Sequence, residues 1–259
     1  MNILILKIVA AVTMLIDHIG SFAPFAGWEY MRMIGRISFP LYAFMLVQGF
    51  LHTRSKWKYL LRMIVLAIVT QPIYTYCFYA DAWKWDSLNI LFTLSAGLCC
   101  MWLLEIGRQT AQKRKKAWWL CGLALCAAVC GIIWIADSAG VDYGWLGMLL
   151  ILLLYLTAEH KWAWCPIMLL FAFRRQLLTG AWDEPVYQRG IFAAVALIPM
   201  LLYNGKPGPK PKSKWGAAHP LCMLSVCGRR FAPPLLCMAQ RHRQRTYPQH
   251  GRGLRTPSW

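Results

Sequence analysis

Residues 7–22 read "KIVAAVTMLIDHIGSF", an apolar run of helix length that carries Asp17 and His18 side by side. In water such a pair would mark an ordinary helix end. In a bilayer each ionisable group is expensive, and its presence points to function. The rest of the chain decides which solvent surrounds the run. Its 259 residues are 58% hydrophobic and include 14 Trp, far more apolar than a soluble core requires. Apolar runs recur at 3–20, 37–52, 60–80, 88–105, 117–136, 143–158, a shorter 161–173, and 189–203. These approach the ~20 residues that a helix needs to cross the hydrocarbon layer. No small-residue cleavage pattern follows the first run, so it reads as a retained helix rather than a signal peptide. The expectation is an all-α, polytopic transmembrane helical bundle of about eight spans, multi-pass in a lipid bilayer.

Cations orient it. The loop "HTRSKWKYLLR" holds Arg54, Lys56, Lys58 and Arg62, and "GRQTAQKRKK" holds Arg108, Lys113, Arg114, Lys115 and Lys116. The alternating segments carry Asp81, Asp86, Asp137 and Asp142 against Lys84 alone. The positive-inside rule then places the N-terminus and both basic loops in the cytoplasm. The segment "RRQLLTGAWDEPVYQRG", with three arginines, falls outside and departs from the rule.

The net charge of +18 does not imply nucleic acid. Residues 204–259 hold four Lys and seven Arg with no acid, so this tail supplies 11 of those charges. The remaining +7 is ordinary for loops beside anionic lipid. The cysteines in the spans (Cys99, Cys100, Cys121, Cys126, Cys130) lack metal-ligand spacing and read as small buried hydrophobes. No metal site, phosphate loop or dinucleotide fingerprint is expected. The chain thus divides into a membrane domain, 1–208, and a tail, 209–259, that carries seven of the 14 prolines and no helical or strand period. The tail reads either as a disordered basic arm on the membrane surface or as frame-shifted sequence never selected to fold.

Of ten carboxylates, Asp17 is the one read as embedded within a span. Lys7 lies eleven residues before His18, a spacing that returns to within about 20° of the same helix face, roughly 16 Å away. Ala11 and Met14 complete that stripe. Arg32 and Arg36 start the next span at the level of Asp17, and Arg36 is the expected partner for its charge. Pro40 would break the helix locally, Gln48 would sit deep in the span, and Asn89, Thr93 and Gly97 repeat at spacing four as one small polar face. Together these converge on a bundle interior where Gln48, Asn89 and Thr93 would line a substrate pocket.

Several stretches, in order, carry a family likeness: "LKIVAAVTMLIDHIG", "RMIGRISFPLYAFMLVQGFLHTR", "YLLRMIVLAIVTQPIY", "LNILFTLSAGL", "DYGWLGMLLILLLYL" and "LLYNGKPG". From about residue 3 to 208 the chain resembles the TraX family. That family is associated with N-terminal acetylation of conjugative pilin and is similar to integral-membrane acyltransferases that use acetyl-CoA. The resemblance implies a multi-pass protein of the bacterial inner membrane that takes acetyl from cytoplasmic acetyl-CoA to an amine on the far side, such as a pilin N-terminus. Family members continue after "LYNGKxG" into a further apolar helix; here "KWGAAHPLCMLSVCGRRFAPP" stands in that place, with His219 beside Pro220 and no span.

The residue reading is compatible with that chemistry. Acetylating an amine requires a base, and histidine is best tuned for the task near neutral pH. His18 is the candidate base. Asp17 would orient it or pair with Arg36, which could instead polarise the thioester oxygen. Lys56, Lys58 and Arg62, with Lys7 on the stripe, suit the donor's phosphates. Two other classes use the same features: a small membrane transporter with a polar permeation path, and a non-catalytic scaffold for pilin precursors. In a background without native cysteines, Asp86→Cys should react with an impermeant thiol reagent in intact cells and Gln112→Cys should not. Reaction of the second alone would invert the topology.

Overall fold

The architecture follows from segments that must satisfy every backbone polar group internally, because lipid offers no hydrogen bonds. The computed structural model describes residues 1–22, 27–79, 87–113, 118–140, 143–174, 177, 180 and 192–205. The tail from 209, the Asp86 loop and most of the "RRQLLTGAWDEPVYQRG" segment lie outside the described residues. The helices are α1 (Ile3–Phe22), α2 (Trp28–Gly35), α3 (Ser38–His52), α4 (Lys56–Tyr79), α5 (Ile90–Lys113), α6 (Trp118–Ser138), α7 (Gly144–Leu156), α8 (Trp164–Ala172) and α9 (Leu197–Leu201). A 3₁₀ turn, Lys161–Ala163, leads into α8. Among the described residues the fold is all-α.

Each of the eight apolar runs contains helix, but they differ in length. Ile3–Ser21, Trp28–His52, Lys56–Phe78 and Ile90–Thr110 are long and apolar enough to cross a membrane; Leu125–Ser138, Gly144–Leu156, Lys161–Ala172 and Phe192–Leu201 are shorter apolar helices. The outer faces are oily. Ile8, Val12, Leu15 and Ile19 on α1, and Leu61, Val65, Ile68 and Val69 on α4, are exposed. That pattern suits a protein dissolved in lipid, whose tails are as apolar as leucine.

The core gathers around α3. Its buried residues, including Phe39, Leu41, Phe44, Leu46, Val47 and Phe50, surround the helix, and a helix that is apolar all round belongs inside. α1 packs on α2 and α3, α5 packs on α4, α6 and α7, and α7 closes on α3. Pro40 explains the break between α2 and α3. It offers no N–H to the Arg36 carbonyl, so a continuous helix would lose that bond, whereas the first turn of a new helix tolerates proline. The chain instead tightens, with Arg36 N–H donating to Met33 O and Ile37 N–H to Ile34 O.

Asn89 fastens α5 to α4. Its Oδ1 accepts the Leu91 N–H at 3.0 Å and caps α5, while Nδ2 donates to Ala67 O (3.0 Å) and Thr70 Oγ1 (3.2 Å). Gln71, 1% exposed, completes the latch, accepting the Asn89 N–H and donating to Ser87 O. Asn89→Ala strands these buried groups. It should lower stability by about 1–2 kcal/mol, the upper range for polar contacts between membrane helices. Gly122→Ala, where an added methyl meets nothing within 4 Å, should not destabilise. Thermal unfolding of the two variants in detergent tests this.

Candidate functional site

Two faces of α1 separate the site's parts. Leu6, Ala10, Thr13 and Gly20 are buried at spacings of four, three and seven, and Asp17 falls on the same face. This face meets α2 through glycine. A Cβ on Gly35 would overlap the Asp17 side chain, and one on Gly20 would come 2.7 Å from Met31 Cβ. Only this close approach brings Arg32 onto the carboxylate. Arg32 Nη1 donates to Asp17 Oδ2 at 2.7 Å and also to Ser21 Oγ, whose hydroxyl donates to the Asp17 carbonyl at 3.0 Å. The pair is about three-quarters buried, at 25% and 23% side-chain exposure.

This corrects the expected pairing. The ion pair goes to Arg32, one turn before Arg36, because α2 ends at Gly35 and the tight turn forced by Pro40 places Arg36 at the break. Arg36 remains within electrostatic range of Asp17. His18, about 100° further round α1, faces α4: its ring lies 5.5 Å from that of Phe78. Both Asp17 and Arg32 act electrostatically on His18. One acid, two guanidinium groups and an imidazole thus cluster at one end of the bundle. The stripe leading to His18 is half-buried at Ala11 and Met14 and exposed at Lys7.

The other expected residues scatter. Gln48 is not deep: it lies one turn from the end of α3, where its carbonyl accepts from His52 Nδ1 at 2.8 Å. Asn89 is the α4–α5 latch. Thr93 is fully buried and packs near Gly147, where an added Cβ would sit 3.0 Å from Phe39 Cζ and 3.2 Å from Thr93 Cγ2. Gln48, Asn89 and Thr93 therefore sit in three separate settings. Lys58 and Arg62 are exposed on α4. Lys56 is partly buried, 3.6 Å from Glu105 and 4.4 Å above the Phe50 ring.

Glu105 is what the sequence reading missed. It lies inside α5, accepts from Tyr155 Oη at 2.8 Å and from Gln109 Nε2 at 3.0 Å, and ties α5 to α7 and to the start of α4. Its position on the last residue of an apolar run hid it; the glutamine one turn later was the available signal. At the Asp17 end, sequence reading also missed the parallel stack of Phe39 on Tyr143, with centroids 3.9 Å apart. Among the described residues no group of three His, Cys, Asp or Glu side chains is placed to hold a metal ion.

Comparison with known proteins assigns the family. The sequence profile of the family described as "TraX protein" matches residues 3–228. The chain belongs to the TraX family. The match continues past residue 208, where the likeness first read from the sequence stops, and into the tail. A relative from Dichelobacter nodosus, "Probable fimbrial assembly protein FimC, serogroup H1", is 36% identical over 95 residues. That alignment covers 36% of this chain and 38% of the relative, so the shared stretch is well under half of either sequence. No solved structure matches.

The geometry ranks the two arginines. Arg32→Gln strands a largely buried carboxylate and should cost about 2 kcal/mol, between the values for fully buried pairs and exposed ones. Arg36→Gln leaves the 2.7 Å Asp17–Arg32 contact in place, so in double-mutant cycles Asp17 should couple more strongly to Arg32 than to Arg36. The reverse order would restore Arg36 as the partner.

Proposed function

We propose that this chain is an integral-membrane acetyltransferase of the bacterial inner membrane, transferring acetyl from acetyl-CoA to an amine such as a pilin N-terminus. The observation that carries the reading is the placement of His18 beside a buried Asp17–Arg32 pair, at the end of the bundle opposite Lys56. Membership of the TraX family supports it, and so does a relative whose name concerns fimbrial assembly.

The chemistry assigns a task to each group. The attacking amine must first be neutral. Its nitrogen then bonds to the thioester carbonyl carbon, the C–S bond breaks, and the coenzyme leaves as thiolate. His18 takes the proton released from nitrogen and returns it to the thiolate or to water. Charge that develops on the carbonyl oxygen is met by Arg36, a guanidinium within electrostatic range of Asp17 and at the same end of the bundle as His18. The Asp17–Arg32 pair holds α1 against α2 and sets the field at the imidazole.

The donor enters from the other end. Lys56, fixed by Glu105 and Phe50, and the exposed Lys58, Arg62 and Lys7 offer cations to phosphate groups. The thioester then has to reach His18 along the Lys7–Ala11–Met14 stripe, a rise of roughly 16 Å. A long, thin pantetheine arm suits that path.

The test is transfer of label from acetyl-CoA to the pilin N-terminus, read by mass spectrometry in membranes. His18→Gln keeps hydrogen bonding and should leave abundance and coenzyme binding intact while lowering the rate about 10²–10⁴-fold. A second TraX family member, carrying the equivalent change, runs alongside. A parental rate in both His→Gln variants would rule out histidine catalysis.

A further inference from the structure

The three outward arginines that break the positive-inside pattern are not used by the reaction above, and one of them is described. Arg174, just beyond α8, lies 4.3 Å over the Phe171 ring and 6.0 Å from the centre of the Tyr143 ring, and its Nη1 donates to Phe171 O at 2.9 Å. Tyr143 in turn stacks on Phe39 at the start of α3, four residues after the Gly35 that touches Asp17. The guanidinium is therefore fixed at the Asp17 end. Tyr143 holds φ at +64°, a left-handed conformation unusual for a bulky residue and often kept where geometry matters.

Arg174 stands at the rim of a groove between α7 and α8. Trp145, Leu149, Leu153, Ile167 and Leu170 line it, and its wall is almost wholly apolar. The cavity is about 200 Å³, below the usual range for drug-sized ligands and less than the volume of one turn of a helix about 10 Å across. Leu149 and Leu170 are 37% and 55% exposed, so the groove opens outward, onto the surface that faces lipid. A small apolar groove with a described cation, Arg174, among its lining residues complements an amphiphile with one acyl chain turned inward and an anion at the interface.

We infer that the α7–α8 groove binds an anionic phospholipid of the outer leaflet, with an acyl chain along Leu149, Leu153, Ile167 and Leu170 and the phosphate on Arg174. This gives the outward arginine a reason to be kept against the topological rule. The site is independent of the acetyl-transfer reading.

The test uses full-length protein in phosphatidylcholine vesicles that contain a trace of phosphatidylglycerol bearing a photoactivatable diazirine in its acyl chain. Labelled peptides are mapped by mass spectrometry. Label should concentrate on 145–153 and 167–170, several-fold above the exposed α4 face at Val65, Ile68 and Val69. Arg174→Gln should reduce it about tenfold, the loss of one charge-assisted contact, and Arg174→Lys should retain most of it. Leu149→Trp fills the slot without touching Arg174 and should abolish the label, which keeps the test sharp if Arg174→Gln folds poorly. Equal labelling by a phosphatidylcholine probe, indifference to both Arg174→Gln and Leu149→Trp, or cross-linking of a second protein chain in place of lipid would overturn the proposal.

Discussion

A carboxylate near the end of a membrane helix has to be met by a positive charge, and that requirement shapes the region around Asp17. The partner, Arg32, comes from a short helix that packs against α1 through Gly20 and Gly35, where side chains would keep the two backbones apart. Removing either glycine's close approach would leave the pair unformed. The same contact turns His18 toward α4, because neighbouring residues on a helix diverge by about 100°. Holding the acid and presenting the imidazole are thus two results of one packing arrangement.

The bundle has two chemically different ends. At one, Asp17, Arg32, Arg36 and His18 lie near the Phe39–Tyr143 stack. At the other, Glu105 collects Lys56, Tyr155 and Gln109, while the Met1 amine donates to Leu202 O at 2.5 Å and Lys161 reaches Tyr203 O at 3.4 Å. An enzyme whose donor and acceptor arrive from opposite sides of a membrane needs such a division. A donor end built from lysines and an acceptor end built around histidine fits the proposed acetyl transfer.

Much of the fold was legible from composition and spacing. The oily runs, the helical class and the prominence of Asp17 and His18 follow from what a bilayer demands of any chain. The identity of the paired arginine was not legible, since it depends on how closely α1 and α2 approach and on where Pro40 interrupts the chain. Gln48 looked deep because it follows Pro40 inside an apolar run, yet the run read as 37–52 and the helix both end only four residues later, at His52. Asn89 looked like part of a polar lining, but its position before Ile90 makes it a cap, and caps spend their polarity on backbone. Glu105 escaped notice at the edge of a run because its partners, Lys56 and Tyr155, are distant in sequence.

The central claim is that the Asp17 carboxylate is held by Arg32 at the α1–α2 contact. Dipolar-recoupling solid-state NMR in lipid bilayers, with ¹³C on aspartate Cγ and ¹⁵N on arginine side chains, measures that contact directly. Arg32→Gln and Arg36→Gln samples assign the signal. The account predicts a strong coupling from Asp17 that matches the 2.7 Å N–O approach and vanishes in Arg32→Gln but survives in Arg36→Gln. Coupling that survives loss of Arg32 and disappears with Arg36, or no coupling at all, would contradict it.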